Sequence, residues 1–149
     1  MLVNILKNII DSYTQKNSLR PHSIGFTLVF DENETPEVLV GISSEDEVEK
    51  WKSEHNENAK YYVWNTAEYE HFEIEGFHDL KIFSMDNKYR EDYLSEINSI
   101  IRKLDIEFRK DGKDFYIFSN DVDDDNFMDF LNKSLSKESL SHLESEGLL

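Results

Sequence analysis

The side chains of this chain with the most chemical potential are its carboxylates, its histidines and one dense aromatic block. The run Asp121-Val-Asp-Asp-Asp125 comes first, because alternating aspartates open a calcium-binding loop. Such a loop needs glycine at its sixth position for a sharp turn and a bidentate glutamate at its twelfth, and here those positions are Asn126 and Asn132. Carboxylates at a helix start interact favourably with its dipole and cap its free amides, so the run is explained without a metal. The histidines, His22, His55, His71, His78 and His142, contain no pair three to five residues apart. Glu68-x-x-His71 is a single copy of a spacing that di-iron bundles use twice. The absence of cysteine excludes thiolate nucleophiles, disulfides and cysteine-based metal sites. There is no Gly-x-Ser-x-Gly elbow, phosphate loop or dinucleotide fingerprint, and only five glycines from which to build an anion cradle. No catalytic residue, cofactor or metal is therefore expected.

The block Tyr61-Tyr-Val-Trp-Asn-Thr-Ala-Glu-Tyr69 is the most distinctive stretch. Read as a strand, it sends Tyr62 and Trp64 to one face and Tyr61 and Val63 to the other. Tyr and Trp left half-buried in this way are frequent interface anchors. Charge points to a partner as well. The chain of 149 residues carries 32 acids against 16 basic side chains, a net charge of −16. That field repels phosphate backbones and anionic lipid, and attracts basic proteins. The basic residues Lys88, Arg90, Arg102, Lys103, Arg109 and Lys110 are matched by six acids in the same stretch, so no patch for nucleic acid arises. The first thirty residues are slightly basic and residues 88–112 neutral, which leaves the surplus acid on 31–87 and 113–149.

These groups need elements to position them. Leu2, Leu6, Ile9 and Tyr13 recur at three and four residues and predict a helix over about 2–16. Ile24, Phe26, Leu28 and Phe30 then alternate with smaller residues, and Val38, Val40 and Ile42 resume the alternation after the polar turn Asp31-Glu-Asn-Glu. Residues 23–42 thus read as a β-hairpin, with Pro36 at the start of its second strand. Ser44 and Glu47 form a capping-box pattern for a helix over 45–56. Residues 59–64 read as an aromatic strand, Asn65 as the cap of a brief helix, and 71–85 show no period. A long helix spans about 88–109, and the apolar run Phe115-Tyr-Ile-Phe118 predicts a central strand. Short helices follow around Phe127–Leu131 and after Ser136. The order α-β-β-α-β-α-α-β-α-α predicts one α+β domain over 1–149, its sheet largely antiparallel or mixed and flanked by helices. The first ten residues lack a basic leader segment and a cleavage site, and no stretch reaches the roughly 18 apolar residues of a membrane span, so the expected location is cytoplasmic.

Several of these segments resemble a bacterial family known as domain of unknown function 4303. They are the strand Ile24-Gly-Phe-Thr-Leu-Val-Phe-Asp31, the helix after Ser43-Ser44, the Tyr61–Tyr69 block and Phe115-Tyr-Ile-Phe-Ser-Asn-Asp121 with Leu131-Asn132 beyond it. The similarity extends over nearly the whole chain, with Tyr69 standing where the family pattern has a tryptophan. What the resemblance implies is a small acidic domain of the kind found beside polymorphic or secreted toxins and resembling immunity proteins; it implies no catalytic residue. The expectation is a non-catalytic immunity or antitoxin-like protein that occludes a cognate toxin, a basic one if that toxin is a nuclease, with no nucleic acid or membrane partner. Its expected interface comprises Tyr62, Trp64, Glu68, Asp121, Asp123, Asp124 and Asp125. Two alternatives stand beside it: a small metal-dependent hydrolase using Glu68, His71 and the Asp121–Asp125 run, and a regulatory module that docks on another protein.

Overall fold

A computed structural model describes residues 1–31, 35–83, 87 and 89–149. Among these residues three strands form one sheet in the order β2-β1-β3: β1 Pro21–Val29, β2 Glu37–Ser44 and β3 Tyr116–Asp121. The hairpin pairs β1 and β2 antiparallel, Ile24 opposite Ile42 and Phe26 opposite Val40. β3 runs parallel to β1, Ile24 opposite Ile117 and Thr27 opposite Asn120. The fold is α+β with a mixed sheet, as the sequence predicts. Residues 32–34 of the expected polar turn lie outside the described residues.

Among the described residues six α-helices cover this sheet: α1 Leu2–Lys16, α2 Glu45–His55, α3 Lys60–Val63, α4 Arg90–Lys110, α5 Phe127–Ser134 and α6 Lys137–Ser145. Alternation along β1 sends Ile24, Phe26 and Leu28 into an apolar cluster with Leu6 and Ile10 of α1 and Ile97, Ile101, Leu104 and Phe108 of α4. The opposite face of β1 carries the small residues Ser23, Gly25 and Thr27 along its middle, all buried. The small residues let a second cluster close in, formed by Val48, Trp51, Val63, Trp64, Tyr69, Phe118, Phe130, Leu131, Leu143 and Leu148. Residues 71–83, which show no period, are an irregular strap: Ile74, Phe77, Ile82 and Phe83 seal the first cluster. The strap is pinned to β2 by Ile42 N–H on the His71 carbonyl and Ile74 N–H on the Val40 carbonyl.

Two expectations are corrected. Residues 59–64 are not a strand: α3 occupies Lys60–Val63, and Val63 N–H bonds the Ala59 carbonyl at 3.1 Å. The aromatic and β-branched run favours a strand by propensity, but Ala59 and Val63, four apart, are the pair that the second cluster buries, and that packing fixes the helical spacing. Phe115–Phe118 lies against an edge and not at the centre, since β1 holds the middle of the sheet. β3 is nevertheless apolar throughout, because Phe115 and Ile117 face the first cluster while Tyr116 and Phe118 face the second. One amide of its outer edge is satisfied by a side chain: Ser134 Oγ accepts from Ser119 N–H at 3.3 Å and donates to the Phe130 carbonyl at 2.9 Å. A satisfied edge amide offers no template for pairing with another strand.

The capping residues sit where the sequence puts them. Ser44 Oγ accepts from Glu47 N–H, Asn65 Oδ1 from Ala67 N–H, and Ser136 Oγ from Ser139 N–H. At α5 the cap is Asn126, whose Oδ1 accepts from Asp129 N–H, so the acid run precedes the cap and does not supply it.

The tightest of the glycine positions is Gly25. A Cβ there would stand 2.3 Å from Thr66 Cγ2 and 2.7 Å from Phe118 Cζ, whereas at Gly41 the nearest atom is Tyr69 Cδ2 at 2.9 Å. Gly25→Ala is expected to cost about 1–3 kcal/mol, and more than Gly41→Ala, because both obstructing atoms belong to a packed interior. Urea unfolding of the two variants checks this; equal stability of Gly25→Ala and the wild type would refute the packing described.

Candidate functional site

The aromatic block and the acid run, some sixty positions apart in the chain, meet at one pocket of about 210 Å³. Its walls are aromatic and aliphatic: Tyr61 and Trp64 from one side, Val122, Phe127 and Phe130 from the other. Asn65, Asn120, Asp124 and Asp125 supply the polar lining. Tyr61 is 57% exposed and meets Phe127 edge to face at 5.8 Å, and Val122 is 51% exposed. These are large apolar surfaces left in solvent at the same place. Lys60 Nζ lies 5.7 Å from the Tyr61 ring centre and 3.5 Å from the Leu149 carbonyl.

Beneath the pocket is a buried polar chain. Thr27 Oγ1 lies 2.8 Å from Thr66 Oγ1 and donates to Asn120 Oδ1 at 2.8 Å. It links β1, β3 and the short 3₁₀ turn Thr66–Glu68 that follows α3. Buried hydroxyls and amides are costly unless bonded, so this network holds the three elements in one arrangement. Asn120 is only 8% exposed, and its amide nitrogen has no hydrogen-bond partner among the described residues.

The expected interface residues divide into groups. Asp121 and Asp123 are both engaged by Arg90 Nη1, at 3.2 and 3.4 Å, and Arg90 in turn lies over the Phe30 ring at 4.8 Å. Asp121 Oδ1 also accepts from Asp123 N–H, and Asp124 Oδ1 from Asn126 N–H, so the run folds as a pair of Asx turns. Asp124 and Asp125 have no cation within ion-pair distance among the described residues and face the pocket. Trp64 is placed in the wall and not on the surface: it is 3% exposed, and its indole N–H donates to the Leu148 carbonyl at 2.7 Å. Tyr62 is half-buried and stacks on His55 with ring centres 4.0 Å apart. The aromatic that strand alternation places away from this face, Tyr61, is the exposed one; a helical reading of the Ala59/Val63 spacing would have found it.

Glu68 lies elsewhere. It lines a broad groove of about 670 Å³ together with Arg20, Glu47, Lys50, Glu70 and His71. In that groove the Tyr13 hydroxyl and His71 Nδ1 hydrogen-bond at 2.8 Å, and Glu47 Oε2 accepts from Glu70 N–H at 2.9 Å. Burial pushes the Glu47 carboxyl above the ordinary range. Glu68 and His71 therefore share one concavity, while Asp124 and Asp125 line a different one with no residue in common. The residues of that alternative constellation thus line two separate concavities. Among the described residues no group of three or more His, Asp or Glu side chains is placed to hold a metal ion.

A second titratable cluster joins β1 to the end of α6, and sequence spacing gave no sign of it. His22 Nε2 lies 3.5 Å from Glu146 Oε2, and His142 Nε2 lies 3.4 Å from Glu146 Oε1. The Tyr116 ring packs against both histidines, and burial pushes its phenol up to about 12. His22 Nδ1 is 2.6 Å from Ser23 Oγ. Burial lowers the His22 pKa from its ordinary value, Glu146 and Glu49 oppose this, and Lys52 adds to it.

Compared with protein-family models, curated proteins and solved structures, the chain finds no match. Nor is any helix among the described residues long and apolar enough to cross a membrane.

The His22 cluster has a pH consequence of definite sign. A histidine whose folded pKa is depressed binds its proton more readily when unfolded, so its contribution to stability is intact above about pH 6.5 and lost as pH falls towards the folded value. His22→Gln removes that term. Unfolding free energy measured by urea between about pH 7 and pH 5 is expected to fall more steeply for the wild type than for His22→Gln. Parallel curves would contradict the assignment.

Proposed function

We propose that this protein is a non-catalytic binding domain of the immunity or antitoxin type, which docks a basic surface of a cognate protein toxin and occludes it. The observation that carries the reading is the convergence at one pocket of exposed Tyr61 and Val122 with Asp124 and Asp125, two carboxylates with no cation within ion-pair distance among the described residues. Aromatic anchors beside a charged rim are the composition of an interface hot spot. Carboxylates presented by an acidic protein steer a basic partner into contact and stand in for phosphate where that partner is a nuclease. The pairing of Asp121 and Asp123 with Arg90 supports a division of labour, in which those two are held by a cation while the carboxylates of Asp124 and Asp125 line the pocket. The reading places the protein in the cytoplasm, where it would meet the toxin before release.

Co-expression with the product of the neighbouring gene tests this. A complex is expected whose affinity falls as salt rises, and falls by about tenfold or more with Tyr61→Ala or the pair Asp124→Asn and Asp125→Asn. Glu68→Gln, in the other groove, is expected to leave it unchanged. No complex, or one indifferent to the pocket variants, would refute the proposal.

A further inference from the structure

The polar atoms of the Tyr61 pocket are ordered by depth. The base holds the Asn120 amide nitrogen, a donor on a side chain that is 8% exposed; its oxygen is committed to Thr27, and the nitrogen has no partner among the described residues. The walls are the rings of Tyr61, Trp64 and Phe127. The exposed rim holds the carboxylate of Asp125, with Asp124 beside it, half-buried. An occupant that satisfies all three levels has an acceptor atom at its deepest point, a flat apolar body, and positive charge where it emerges. Lysine or arginine as the inserted group fits poorly, because a cationic tip would meet a donor at the base. Phenylalanine would leave that donor unpaired, at the cost of an unsatisfied buried group. Tyrosine has a ring for edge-to-face contact with Tyr61 and Phe127 and an oxygen at its far end.

We infer that the pocket receives a single tyrosine side chain from a partner segment in which that tyrosine is flanked by lysine or arginine, its phenol oxygen accepting from Asn120 Nδ2 and the flanking cations meeting Asp124 and Asp125. This rests on the docking reading above and specifies the anchor.

The test uses the full chain labelled with nitrogen-15 and titrated with three capped tetrapeptides. One consists of arginine, tyrosine, arginine and lysine, the second has phenylalanine for tyrosine, and the third has glutamate for every basic residue. The titration extends to about 5 mM, enough to detect the millimolar affinity that one anchored side chain supplies. The tyrosine peptide is expected to shift the Asn120 side-chain amide together with the backbone of Tyr61, Asp124 and Asp125, and to bind about threefold or more tighter than the phenylalanine peptide. The acidic peptide is expected to produce no shift. Asn120→Ala removes the donor while Thr27 keeps Thr66 as a partner, and is expected to abolish the preference for tyrosine over phenylalanine. Equal binding of the tyrosine and phenylalanine peptides at the pocket overturns the inference while leaving a docking face for a basic partner. Shifts confined to another surface, or none at all, also overturn it, and the co-expression result alone then decides whether the protein docks a toxin.

Discussion

The architecture depends on one close approach, that of the second face of β1 to the turn after α3. Ser23, Gly25 and Thr27 are small enough that Thr66 and Phe118 lie directly against the strand, and any Cβ at Gly25 would be inside their contact distance. The same approach lets Thr27 reach Thr66 and Asn120 at once. A buried polar chain of this kind contributes little net stability when complete, but it is costly to break, so it acts mainly to select one arrangement of the three elements it joins. That arrangement brings α3 beside the loop after β3. With α3 seated, Val63 and Trp64 are buried and Tyr61 is left facing outward.

Electrostatics then distinguishes residues that look alike in sequence. Five acidic or amide side chains follow one another between Asp121 and Asn126, interrupted only by Val122, yet they do different work. Asp121 and Asp123 hold Arg90, Asp124 bonds the Asn126 amide, Asn126 caps α5, and Asp125 faces solvent. Arg90 is fixed from its other side by the ring of Phe30. The net charge of −16 is therefore not a uniform coat: at the pocket it becomes two carboxylates without a counterion among the described residues, beside apolar surface that folding has not covered.

How much of this was legible depended on whether local pattern and tertiary packing agreed. The hairpin, α1, α2 and α4 were readable because their apolar residues repeat with the period of the element they form, and Ser44, Asn65 and Ser136 cap as their sequence contexts indicate. The reading of 59–64 as a strand failed because β propensity and helical burial disagree there, and burial of Ala59 and Val63 decided the outcome. That one error reversed Tyr61 and Trp64, turning the exposed anchor into a supposed inner residue and the wall into a supposed anchor. The acid run was read as the cap of the helix that follows, a role Asn126 takes, and Arg90 lies thirty-one positions from Asp121, a pairing that no local pattern encodes. Asn120 was invisible for the same reason, since its burial and its single free amide exist only once β1, β3 and the Thr66 turn have come together. The His22–Glu146–His142 cluster likewise joins the first strand to the last helix.

The account's central claim is that the face around Tyr61 and Asp125 is where this protein meets its partner. Hydrogen–deuterium exchange of the full chain, alone and in complex with the product of the neighbouring gene, tests it most directly. New protection is predicted at residues 61–65 and 120–127, with the groove formed by residues 18–20, 44–51 and 68–71 unchanged. Protection confined to that groove, with 61–65 and 120–127 exchanging as in the free chain, would contradict it.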